Sequence, residues 1–192
     1  MPHLLLGLLV FLGVHSVRIV ADDWRASVLA RYGEMPWKGL YSALSLLGFG
    51  LLVWGFGLAR QQPLQLWSPP LAMRHLAALL TLASFVLLVA AYVPGNGIKA
   101  AVHHPMVLAV KVWALSHLLA NGNLAHVVLF GSFLIWAVLD FTAARRRDRH
   151  AGIQYAPGRA GATAITVLAG IGAWAAFALW LHGWLIGVRP LG

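Results

Sequence analysis

Residues 71–92 read LAMRHLAALLTLASFVLLVAAY, and this stretch decides the fold. Its 22 positions carry one arginine and one histidine, both in the first turn and a half. A helix rises 1.5 Å per residue and a bilayer core is about 30 Å thick, so about 20 apolar residues in a row are the length of one crossing. Five more runs share this character: His3–Val20, Gly39–Ala59, Pro105–Ala120, Leu124–Ala143 and Gly161–Trp184. Pro105–Ala120 is the shortest, and a merged or re-entrant segment there is the main way in which six crossings would fail. The expected fold is therefore all-α, a single integral membrane bundle of about six transmembrane helices in a lipid bilayer.

The breaks between the runs have turn chemistry. Gln61-Gln62-Pro63 and Ser68-Pro69-Pro70 bound one connection, Pro94-Gly95-Asn96-Gly97 another, and Asn121-Gly122-Asn123 reads as a tight hairpin. The chain is 192 residues long, 60% hydrophobic and only 10% charged. Soluble domains carry about a quarter charged residues, so this composition excludes an ordinary soluble globule. The net charge of +9 could suggest nucleic acid, but the charges fall between the apolar runs instead of along a polar face. That is membrane topology, and no nucleic-acid partner is expected. With no cysteine in the sequence, disulfides, thiolate metal sites and iron–sulfur clusters are excluded. The first run has no Lys or Arg before it and no cleavage-like site after it, so it reads as a retained helix.

Orientation follows from the basic residues. Placing Arg145-Arg146-Arg147-Asp148-Arg149 in the cytoplasm puts Arg18, Arg25, Arg31, Lys38, Lys99 and Arg159 there too, against Arg60, Arg74 and Arg189 on the other side. The bias predicts a multi-pass membrane protein with both termini outside the cytoplasm. Close helix packing is expected from Gly48, Gly50, Gly55 and Gly57 in the second run, and from Ala162, Thr166 and Gly170 in the sixth.

Ionisable groups inside apolar runs point to function, because a bilayer penalises them. His15 lies late in the first run. His104 begins the fourth, and His117 sits one turn before Asn121 with Trp113 one turn earlier. Imidazole without competing thiolates suits a haem held by helix-borne histidines. His126 reads as a helix-start residue, Lys111 as a snorkelling cation or a partner of Asp140, and His3, His75, His103 and His182 as boundary residues.

Several stretches resemble the NnrU family of small, denitrification-associated bacterial membrane proteins. They are Leu12-Gly13-Val14-His15-Ser16-Val17-Arg18, Arg31-Tyr32-Gly33, and the block from His104-Pro105-Met106-Val107 through Trp113-Ala114-Leu115-Ser116-His117 to Asn121-Gly122-Asn123. That family is similar in turn to plastid zeta-carotene isomerase, a haem b membrane enzyme that isomerises a cis double bond of a polyene when its iron is reduced. The resemblance implies haem b with His15 and His117 as axial ligands, and a membrane-dissolved polyene or nitric oxide as the reacting partner. The isomerase's additional cysteine falls on Ala114, so its ligand exchange does not carry over. Depth along antiparallel helices separates His15 from His117 by roughly 10–15 Å and matches His15 better with His104. His104 thus remains the alternative cofactor ligand. Two other readings stand beside this one: a non-enzymatic scaffold or assembly factor for denitrification, and an isoprenylcysteine-type membrane methyltransferase suggested by His103-His104-Pro105.

Overall fold

The computed structural model describes residues 1–191, and no strand occurs among them. Its elements are α1 (Pro2–Val20), α2 (Asp22–Tyr32), α3 (Glu34–Ala59), α4 (Leu71–Tyr92), α5 (Gly97–Val102), α6 (Pro105–Ala120) and α7 (Leu124–His150). The last crossing is α8 (Ala160–Ala176), which continues through one π turn (Phe177–Leu181) into α9 (His182–Ile186). Five helices are long and apolar enough to cross a membrane, and α6 is the shorter apolar sixth. It nevertheless runs from one end of the bundle to the other. Its start joins His104 to Asp148 near the end of α7, and beyond its end the Gly122 carbonyl accepts from Leu66 and Trp67. The six expected apolar helices are present, five of them long enough to cross a membrane.

The boundaries differ from expectation where charge interrupts apolarity. Residues 22–32, expected as a connection, form α2, whose first turn holds Asp22 and Asp23. Carboxylates there complement the partial positive charge of the helix start. No residue of α2 is buried, and Gly33, at φ +84°, turns the chain into α3. Helix α7 continues through the arginine run to His150 instead of stopping at Ala143. Arginine is a good helix former, and cations complement a helix C-terminus. α5 was also unforeseen. Asn96 starts it, its side chain accepting from Lys99 N at 2.8 Å and donating to the carbonyls of Ala90 and Val93.

The helices pack in the order α3–α1–α7–α6–α4–α8. The α1/α3 pair and the α4/α6 pair have no close backbone approach to each other, and α7 lies between them, with Ala114 of α6 and Leu4 and Leu8 of α1 sharing one buried core. Close approach explains the glycines only in part. Gly48 faces the backbone of Phe11 and Gly55 that of Leu4, whereas Gly50 and Gly57 face open space. In the last crossing Thr166 and Gly170 are buried, Gly170 against Val86 of α4. Across α4 and α6, the buried Ser84 hydroxyl donates to Ala109 O at 2.8 Å.

α2, α5 and the 151–159 connection gather at one end, where Arg147 donates to Arg18 O and Arg159 N to Gly95 O. The 60–70 and 121–123 connections meet at the other, where Arg60 donates to Ile186 O. The same division by chain position puts all five acidic residues and ten of the fourteen Lys/Arg at the first, basic end.

Candidate functional site

Each interior histidine is set by its own helix. His15 Nδ1 lies 2.6 Å from Phe11 O, and His117 Nδ1 lies 2.9 Å from Trp113 O. A carbonyl only accepts, so in both rings Nδ1 carries a proton, and Nε2 is the nitrogen whose lone pair a ligand role would use. Fixing one nitrogen in this way is how proteins orient imidazole ligands. Both rings sit among aromatics. His15 stacks on Phe11 at 4.2 Å and approaches Tyr41 and Trp136. His117 stacks on Phe130 at 4.4 Å, with Trp113 at 5.2 Å.

The two histidines do not converge. His15 stands at the level of Trp136 and His117 at that of Phe130, six residues or about 9 Å apart along α7. Between them runs a series of rings: Phe11 to Phe133 at 5.9 Å, then Phe133 to Trp113 at 5.5 Å. Two imidazole nitrogens on one metal ion would stand about 4 Å apart, at about 2 Å from the ion each. In this packing the two rings are not brought to one point, and each stands as a separate candidate ligand. Next to His15, Trp136 Nε1 is buried without a hydrogen-bond partner; one turn along α3 from Tyr41, so is Ser45 Oγ. No group of three or more His, Cys, Asp or Glu side chains assembles into a metal site among the described residues.

His104 is engaged elsewhere. Its Nε2 donates to Asp148 Oδ2 at 2.7 Å, and the Tyr155 hydroxyl donates to the same oxygen at 2.9 Å. This contact across 44 residues had no signal in the sequence beyond the presence of both groups. Lys111 does not pair with Asp140; its ammonium lies over Phe141 at 5.6 Å, and Arg147 approaches Asp140 at 4.0 Å. His126 behaves as a helix-start residue, its backbone N–H capped by Asn123 Oδ1. Ala114 is fully buried and packs in the core with Leu4, Leu8 and Phe130. At the basic end a cavity of about 870 Å³ is lined by Arg18, Asp22, Asp23, Arg146, Arg147 and His150, among others.

The architecture defines a polytopic all-α membrane protein with lone, pre-oriented histidines in its interior. The family described as NnrU protein matches residues 3–190, and the chain belongs to it. No curated protein and no solved structure matches the chain.

Proposed function

We propose that this NnrU-family protein holds a b-type haem within the bilayer through one interior histidine and handles a small redox ligand such as nitric oxide. The observation that carries the reading is the locked Nδ1–H of His117, which leaves Nε2 as a free donor atom in an aromatic, water-poor setting. His117 is the ligand proposed here, and His15, held in the same way one level further along α7, is the second candidate. When bound, the haem would supply reversible iron redox chemistry and small-ligand binding. The residues of the chain orient the ligand, with Trp113 O fixing the imidazole and Phe130 stacking on it, and exclude water. His117 alone would hold the group, and the bound haem would supply the small-ligand chemistry there. A polyene isomerase is the narrower version of this reading; Ala114 offers no second ligand for it.

The basic end is proposed to face the cytoplasm of a bacterial inner membrane, with both termini outside, because the arginine-rich side is the one retained there. The test is an oxidised and reduced absorption spectrum of detergent-purified protein with a pyridine haemochrome assay. The expected result is a stoichiometric b-type spectrum that His117→Ala abolishes or shifts. A colourless protein that takes up no added haem would refute the reading and leave the assembly-factor role in its place.

A further inference from the structure

At the joint between α5 and α6 the chain makes a rare turn. His103 stands at φ +69°, ψ −50°, and His104 N donates to Val102 O at 2.8 Å across it. This is the positive-φ form of the γ-turn, which is strained for any residue with a Cβ. Glycine would relieve the strain, yet histidine occupies the position. Its Nδ1 is buried and has no hydrogen-bond partner, and its ring lies on Tyr155 with centroids 4.0 Å apart. A cavity of about 190 Å³ opens beside it, lined by Lys99, His103, His104, Ala91, Met106 and Val107. Three nitrogen-bearing side chains and no carboxylate face this space. Lys99 Nζ spends one N–H on Ala91 O at 3.1 Å and keeps two. His104 donates Nε2–H to Asp148, so Nδ1 is the nitrogen of its ring left to accept a proton.

We propose that this cavity binds a phosphate monoester, with Lys99 and His103 donating to its oxygens and His104, backed by Asp148, accepting its last proton. A monoester near neutral pH carries between one and two charges, so it offers both charged oxygens and a P–OH. That mixed character matches two donors beside one carboxylate-backed acceptor. A phosphodiester has no P–OH for His104. Burial and the Arg145 charge hold the His103 imidazole below its ordinary range. The cavity lies at the basic end, where α4 finishes and α6 starts, and its Ala91, Met106 and Val107 wall is apolar. The same chemistry is available from a lipid, phosphatidate, and from free phosphate. The proposal stands apart from haem binding, since none of its residues touches His15 or His117.

The experiment uses the full chain in nanodiscs of phosphatidylcholine alone, or with phosphatidate or phosphatidylglycerol at equal surface charge, and separately with inorganic phosphate. Thermal unfolding gives the binding shift. Phosphatidate should stabilise the wild type more than phosphatidylglycerol does. Lys99→Gln and His103→Gly should each shrink the shift by the amount that corresponds to an affinity loss of about tenfold, the order expected for one charge-assisted hydrogen bond. His103→Gly removes the strained side chain and should fold at least as stably as wild type without ligand, which separates lost binding from lost structure. Stabilisation by inorganic phosphate as well would assign the site to the free anion, and by phosphatidate alone to the lipid. Equal effects of the two lipids, effects unchanged in both variants, or no effect of any phosphate would overturn the proposal.

Discussion

Gly48→Ala tests the α1/α3 packing that sets the position of Phe11 and, through it, of His15. A Cβ built on Gly48 would stand 2.7 Å from Phe11 N and 2.9 Å from Phe11 Cα, whereas ordinary contact begins at 3.4 Å. The helices would have to separate by about 0.7 Å locally, against backbone that cannot rotate away. Overpacking of this kind costs about 1–3 kcal/mol. Alanine also gains about 1 kcal/mol over glycine in helix propensity, which partly offsets the clash. Gly50→Ala supplies the control, because Gly50 faces open space on the same helix and shares only the propensity gain. Propensity cancels in the comparison, so Gly48→Ala should be less stable than Gly50→Ala by about 1–3 kcal/mol. Reversible unfolding in mixed micelles, followed by tryptophan fluorescence, measures the difference. Equal stability of the two variants would refute the close-packing argument.

Further outcomes are expected elsewhere in the chain. Asn96→Ala strips partners from two carbonyls and the Lys99 N–H at a site 1% exposed, and should lower stability by about 2–3 kcal/mol in the same assay. Because the chain contains no cysteine, single-cysteine labelling reads orientation directly: Gln62→Cys should react with an impermeant maleimide on intact cells, and Arg149→Cys only after permeabilisation. The reverse pattern would invert the proposed topology. Burial and the hydrogen bond to Asp148 raise the Tyr155 pKa above its ordinary value near 10. A raised pKa means that this stabilisation is complete below about pH 10 and is lost as pH climbs through the folded value. An ultraviolet difference titration of wild type against Tyr155→Phe should place the phenol's ionisation above 10, and Asp148→Ala should bring it down.

The crossings were legible because a bilayer makes a one-dimensional demand: enough apolar residues in a row, with turn residues between. Even the short fourth run was placed at Pro105–Ala120 as found. What periodicity missed was helix made of charged residues. Asp22–Tyr32 and Arg145–His150 interrupt apolarity and so read as connections, although their backbones are as helical as the rest. The glycine-rich face was half legible, since composition alone could not tell Gly48 and Gly55 from Gly50 and Gly57. For the interior histidines, the local lock of Nδ1 on the carbonyl four residues back follows from helix geometry. Their separation in depth also followed from position along antiparallel helices. The engagement of His104 by Asp148 and Tyr155 did not, because it depends on where α7 ends and how 151–159 folds back.

The place of α7 in the row has a consequence for how the molecule is made. During synthesis the α1/α3 hairpin emerges first and the α4/α6 hairpin second, and the two have no close backbone approach to each other. Only when residues 124–150 arrive does a shared neighbour exist, and the two hairpins then clasp it from opposite sides. His15 belongs to the first unit and His117 to the second, so α7 is the helix that packs against the carriers of both. Chains truncated before residue 124 would hold both histidines without the helix that joins their two pairs.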